Sequence, residues 1–417
     1  VLRLAWKSLA NRRLAAGLLV FSIALSVALL AGVERVRTQT EESFTRAIAG
    51  TDLVVGARSG PVSLMLYSVF RIGDATNNIA WKSYEAVAAH PRVAWTVPLS
   101  LGDSHRGFRV LGTTPAYFEH YRTGTDRPLA FRDGKPFADV FDAVLGAEVA
   151  ERLGYRVGQS ITIAHGTGDA SFAEHDDKPF RVVGVLAPTG TAVDRTVHVS
   201  LEGIEAIHID WQGGAQMPGL SIAPEQARRM DLSPKAITAM LVGVKSKAAV
   251  FQVQRWVNEY RDEPLLAVLP GVALQQVWRI VGVAERALFL VAAAVAAASL
   301  AGLVALHLAA LDARRRELAI LRALGAPPRA IFGLVIGESF LLTAAGIVLG
   351  ILVLQAALAI AAPLVETRLG LVLAPGLPSA AEGLLLAAVL VCGTLAGAIP
   401  AWRAYRLALT EGMTLRL

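Results

Sequence analysis

The chain alternates between two kinds of pattern. Four stretches are apolar almost without interruption: 14–33, 287–311, from about 331 to 365, and 383–401. The first and last carry no charge, the second is broken only by His307, and the third holds one acid, Glu338, near its start. A helix of roughly 20 mostly apolar residues crosses a bilayer, so each stretch predicts a spanning helix. The first is too long for the core of a signal peptide and no A-x-A site follows it, which reads as a retained anchor.

Residues 35–286 have a different texture. "FRVLGTTPAYF" (108–118) alternates like a strand and ends in a turn. "AVLGAEVAERLGYRVGQSITIAHG" (143–166) predicts a helix stopped near Gly154, then a turn and a strand. Two β-rich runs flank a Pro/Gly loop in 180–204, and 237–246 and 248–260 predict a further strand and helix. Helix-compatible polar segments, 34–49 and 271–286, join this region to the spans as stalks. The expected fold class is therefore a membrane α-helical protein of four transmembrane helices, both termini cytoplasmic, with a large α+β periplasmic domain inserted between the first and second spans. Its parts are 1–34 (interfacial helix and first span), 35–286 (periplasmic domain with stalks) and 287–417 (spans two to four).

Composition and charge sharpen this picture. Hydrophobic residues make up 54% of the 417 and charged residues 18%, below the quarter usual in soluble domains. Lys and Arg cluster before the first span (Arg3, Lys7, Arg12, Arg13), between the second and third (Arg314, Arg315, Arg316, Arg322, Arg329) and after the fourth (Arg403, Arg406, Arg416). The positive-inside rule puts these three segments in the cytoplasm and 35–286 outside. The net charge of +6 is thus largely topological, and no aromatic-interleaved basic patch points to nucleic acid. Cys392 falls inside the fourth span, so the external domain is expected to fold without disulfides. No GxxxxGK[ST] run is present to cradle nucleotide phosphates.

The arginine-rich loop has more order than a topology signal needs. Leu318, Leu321 and Leu324 recur at three-residue spacing, Gly325 supplies a stop and Pro327-Pro328 prevent continuation. This predicts a short amphipathic helix over 314–325 that presents a face to a cytosolic partner. The run "RRRELAILRALGAPPRAIFGLVIGES" resembles the signature between the second and third spans of the MacB/FtsX/LolC-type (mechanotransmission) ABC transporter permeases. "LGTTPAYF", "VLGAEVAERLGYRVGQSITI" and "FRVVGVLAPTGTAVDRTVHVS" resemble that family's periplasmic core domain in the same order. The tail "IPAWRAYRLAL" resembles its C-terminal end, with Glu411 where a proline is expected.

The resemblance implies a permease that is not itself an enzyme and has no cofactor of its own, ATP and Mg being bound by a separate cytosolic ATPase present in two copies. Arg316, Glu317, Leu318, Leu321, Arg322 and Gly325 are the expected ATPase-coupling residues, and Glu338 a membrane-interface residue. A second permease copy, identical or different, is expected beside it in the bacterial inner membrane, with lipid around it and a periplasmic adaptor, lipoprotein or carrier as further partner. Lipoprotein or lipid release, or export of a periplasmic substrate, is the expected work. A non-transporting FtsX-like regulator of cell-wall hydrolases and a zinc-related permease are the alternatives.

Two external features have both a bland and a functional reading. The run Val62, Leu64, Met65, Leu66, Val69 and Phe70 follows the first stalk, as domain-base packing or as a gate or substrate contact. Seven histidines lie in 35–286, one within the acidic "EHDD" (174–177). Without a paired-ligand spacing they read as surface residues and that stretch as a solvated loop, so no metal site is expected.

Overall fold

Helix α1 (Arg13–Arg46) takes in the first apolar stretch and continues unbroken through the polar residues after it. The computed structural model describes residues 13–124, 127–166, 173–212, 215–217, 222–313, 320, 325–369 and 375–406. Past α1 the chain enters a mixed sheet. Its main strands are β1 (Leu53–Ala57), β2 (Val93–His105), β3 (Phe108–Thr113), β4 (Phe131–Gly134), β5 (Asp142–Leu145), β6 (Phe180–Leu186), β7 (Thr196–Ser200), β8 (Ala239–Val244) and β9 (Leu265–Val268). They lie in the spatial order β9-β1-β8-β2-β3-β7-β5-β6-β4. The β3–β7 and β5–β6 pairs are parallel and the other pairs along this path antiparallel.

Strand β2 is the hinge of this sheet. Its first part, from Val93 to Leu99, pairs with β8, and its second, from Ser100 to His105, with β3. A register shift between Leu101 and Ser104, with Gly102 at φ 156°, turns Asp103 out of the regular ladder, as bulges do. Short strands at Ala164–His165 and Ala173–Glu174 extend this end of β2.

Helices cover the sheet by simple amphipathic logic. After β1 comes α2 (Pro61–Ser68), with proline in its first turn. Helix α3 (Trp81–Ala88) packs against β2, and α4 (Ala147–Leu153) stops at Gly154, whose φ of 69° suits glycine. The side chain of Ser200 caps α5 (Leu201–His208), accepting from the Gly203 N–H at 2.9 Å. Helix α6 (Val250–Asn258) buries Val250, Val253 and Val257 on one stripe. All five residues of β7 are buried, as befits a strand covered on both faces.

The chain then returns through α7 (Pro270–Ala313), 44 residues long, and α8 (Pro328–Leu369), of 42. It ends, among the described residues, in α9 (Ala380–Ala396) and α10 (Ala398–Arg406). Among the described residues, four helical segments are long and apolar enough to cross a membrane: Arg13–Glu41, Pro270–Leu311, Arg329–Ala362 and Ala380–Arg406. Leu14, Leu18, Phe21 and Leu25 on one face of α1 are exposed, as lipid-facing side chains are. This is a multi-pass inner-membrane architecture with a large α+β domain between the first span and the rest.

The chain divides into two units. One comprises 1–40, 281–368 and 372–417, the other 41–280 with 369–371. The divisions fall inside α1 and α7, so each of those helices is continuous between units.

Candidate functional site

In the membrane unit, α1 and α7 are joined by hydroxyls. Ser22 Oγ and Ser26 Oγ each lie 2.8 Å from Ser299 Oγ, and Ser299 also bonds back to the Val295 carbonyl at 3.0 Å. Small polar side chains hold helices together where lipid removes the hydrophobic drive. Further along, Arg37 bonds Glu34 on its own helix and reaches Glu285 of α7 at 3.3 Å. The first two spans are thus tied at two heights.

Glycines set the approach of α8 and α9. A Cβ on Gly346 would stand 2.5 Å from Ile23, and one on Gly350 2.7 Å from the Ala24 carbonyl, so α8 lies against α1 there. Gly393 and Gly397 likewise face Thr343 and Ser339 of α8. A Cβ on Gly333 meets nothing within 4 Å among the described residues, so α8 makes no such close approach there.

Among the described residues, two acids in this unit are buried. Glu338 is 4% exposed, with Oε2 3.9 Å from His307 Nε2, and the His307 Nδ1–H is directed at the Leu303 carbonyl at 2.9 Å. It is an interhelical contact within the bundle. Glu382 receives Arg35: Nε donates to Oε1 at 2.7 Å and Nη2 to Oε2. Arg35 Nη1 also donates to the Gly376 carbonyl at 2.9 Å. Glu382 completes a capping box with Ser379 at the start of α9.

Of the expected coupling residues, Arg316, Glu317, Leu318, Leu321 and Arg322 lie outside the described residues, as does the interfacial helix before Arg13. Gly325 is described: it is exposed, with φ 91°, the left-handed conformation a helix stop uses.

In the external unit the run after the first stalk is mostly core. Leu64 and Met65 are fully buried and Val69 nearly so, packed with Tyr67, Tyr117 and Leu111, while Val62, Leu66 and Phe70 are half-buried. The helical spacing of α2 turns Leu64 and Met65 under the sheet.

The histidines differ more from expectation. His105, His175 and His198 are buried, and "EHDD" is not a solvated loop at His175. Lys178, just beyond it, is fully buried with its Nζ 2.9 Å from both Asp210 oxygens, which draws this segment inward. Asp103, His165, His175 and His208 come together: His165 Nδ1 lies 3.2 Å from Asp103 Oδ1 and 3.2 Å from His208 Nε2. Burial acts to raise the Asp103 carboxyl, but hydrogen bonds from His165 and His208 overcome it and hold it at about 2. Burial also holds the His175 imidazole down to about 4, helped by the charge of His208. For His208 burial works against the proton, and the hydrogen bond with Asp103 wins, raising it. Among the described residues this is the group of His, Cys, Asp and Glu side chains whose ligand atoms converge as a metal site requires. No sequence spacing signals it, because the residues come from β2, a short strand, the residue just past another and the end of α5.

Comparison with known proteins agrees with this architecture. Residues 14–260 match the model of the MacB-like periplasmic core domain, and 289–409 that of the FtsX-like permease C-terminal region. The chain is 24% identical over 275 residues to the lipoprotein-releasing system transmembrane protein LolC of Neisseria meningitidis, an alignment covering 64% of this chain and 60% of that relative. The chain therefore spans about 60% of the length of the curated relative it matches. Among solved structures, the periplasmic region of MacB from Actinobacillus actinomycetemcomitans is similar at 11% identity and a TM-score of 0.34, over 55% of this chain and 94% of that one. The extracellular domain of the noncanonic ABC-type transporter YknZ from Gram-positive bacteria gives 12% and 0.31, over 52% and 99%. With a periplasmic core model over more than half its length and a permease model over most of the remainder, the chain belongs to the MacB/FtsX-like family of ABC transporter permeases.

Proposed function

We propose that this chain is the membrane subunit that transmits ATP-driven motion from a separate cytosolic ATPase to a periplasmic substrate. Two ATPases and two permease copies form the working unit. The observation that carries the reading is the continuity of α1 and α7 from the spans to the external unit, with Ser22, Ser26 and Arg37 of one helix tied to Ser299 and Glu285 of the other. Helices so tied move together, and a push at their cytoplasmic ends reaches residues 35–286 rather than dissipating in the bilayer.

The coupling surface in this proposal is 314–325, with Arg316, Glu317, Leu318, Leu321, Arg322 and Gly325 meeting the ATPase. Glu338, buried beside His307, seats the start of α8 behind that surface. In this proposal the half-buried Val62, Leu66 and Phe70 form the substrate-facing part of the α2 region.

Release of lipoproteins from the inner membrane is the substrate class we favour, on the name of the curated relative. Depletion of the chain, followed by mass spectrometry of lipoproteins in separated inner and outer membranes, tests it. Lipoproteins held back in the inner membrane would support release. An unchanged distribution would contradict it and favour export or regulation.

A further inference from the structure

We propose that Asp103, His165, His175 and His208 bind a divalent metal ion of the zinc class, through three imidazole nitrogens and one carboxylate oxygen. A tetrahedral zinc ion with bonds of about 2.0–2.1 Å sets its ligand atoms about 3.3–3.4 Å apart. Asp103 Oδ1, His165 Nδ1 and His208 Nε2 form a triangle with sides of 3.2, 3.2 and 3.5 Å. All four residues bring a ligand atom within 4.8 Å of the others, which places a His175 nitrogen beside this triangle as the fourth ligand.

A plain hydrogen-bonded chain of Asp103, His165 and His208 also brings three atoms this close, but it leaves His175 unexplained. That side chain is fully buried, and among the described residues neither Nδ1 nor Nε2 has a hydrogen-bond partner. Buried polar atoms in folded proteins are nearly always paired. Its ring stands between His208, at 5.2 Å between centroids, and Trp211, at 4.4 Å. A metal ion supplies the missing partner.

The surroundings prepare the ligands. His208 directs Nδ1–H at the Ile204 carbonyl at 2.8 Å, so an ion need displace only the Nε2 proton shared with Asp103 to use that nitrogen as a ligand. Such an outer hydrogen bond is the usual support of a ligating histidine. His165 is the cross-strand partner of Asp103, which fixes their spacing by sheet register. The His165 side chain is 40% exposed and gives the ion its way in. Three nitrogen donors disfavour Mg²⁺ and Ca²⁺, which take oxygen, and suit zinc and its neighbours. The site lies wholly in the external unit and does not rest on the ATPase reading.

The test uses the intact chain with a histidine-free affinity tag, purified in detergent and stripped with a chelator. It is titrated with Zn²⁺ against a chromophoric competitor, and with Co²⁺ as a spectroscopic substitute. The expected result is one Zn²⁺ per chain, the intense visible bands of four-coordinate Co²⁺, and no competition by Mg²⁺. His175→Ala and His165→Gln should each weaken Zn²⁺ binding by at least about tenfold, comparable with losses at metal sites. His165→Gln changes a partly exposed side chain, and circular dichroism will confirm its fold even if His175→Ala does not fold. Absence of stoichiometric Zn²⁺ binding by the wild-type chain, or unchanged binding by folded His165→Gln, would overturn the proposal.

Discussion

Arg35 and Glu382 meet as a two-pronged ion pair from which water is excluded, the arginine side chain 4% and the glutamate 2% exposed. The pair joins the end of the first span to the start of the fourth, and Arg35 Nη1 reaches on to the Gly376 carbonyl, which Gln355 of α8 also holds. Three spanning helices are therefore anchored around one guanidinium.

Breaking one side of such a pair leaves a buried charge without compensation, which costs about 3–5 kcal/mol. Arg35→Met is expected to lower the thermal unfolding midpoint of the detergent-solubilised protein sharply. Arg35→Met combined with Glu382→Leu should recover most of that loss, since replacing both charges by apolar groups is often neutral. Equal loss in single and double variants would mean the pair is not the anchor.

Glycine positions give a contrast within one bundle. Gly397→Ala places a Cβ 2.1 Å from Ser339 Oγ and Gly346→Ala one 2.5 Å from Ile23, so both must push α9 or α1 away from α8. Overpacking of this kind costs about 1–3 kcal/mol. Gly17→Ala and Gly333→Ala meet nothing within 4 Å and should be neutral or stabilising by up to about 1 kcal/mol through helix propensity. Melting curves of the four variants, recorded side by side, check the order.

The hydroxyl cluster of Ser22, Ser26 and Ser299 predicts a smaller effect. Ser299→Ala removes the shared partner, and interhelical hydrogen bonds in membranes average about 0.6 kcal/mol. The loss in stability should be about 1 kcal/mol, whereas ATPase-coupled work should fall more steeply if α1 and α7 must move as one. Measuring both on the same preparation separates the two.

Stability of the external unit should fall with acid. His198 is fully buried, and burial first, then the charge of Arg71, hold its imidazole down to about 3, against a backbone bond to the Val144 carbonyl that favours the proton. The unfolded chain takes up that proton near pH 6.5. Below this the unfolded state binds more protons, so the stability present above about pH 6.5 is lost as pH falls toward 3, by up to about 1.4 kcal/mol per pH unit. His198→Gln removes that proton uptake and should flatten the pH dependence of the urea midpoint, followed by tryptophan fluorescence.

The spans were legible because each needs only its own roughly 20 apolar residues, and the strands over 108–113, 180–186, 196–200 and 239–244 because alternation and turn residues are local signals. The helix stop at Gly154 was readable for the same reason. Arg35 and Glu382 are 347 positions apart, and nothing near either names its partner. Asp103 and His165 are 62 positions apart, joined only by a two-residue strand pairing. His175 misleads in sequence because its acidic neighbours suggest solvent, while Asp210, far along the chain, neutralises Lys178 and draws the segment inside.

Whether this permease works through a cytosolic ATPase met by 314–325 is decided by purifying the tagged chain from its native membrane. Mass spectrometry then identifies what remains bound to the wild type and to Leu321→Arg. A soluble ATPase should be retained by the wild type and lost from an equally abundant, folded variant. Wild-type chain that retains no ATPase in mild detergent with crosslinking, or a variant that keeps it undiminished, would contradict it.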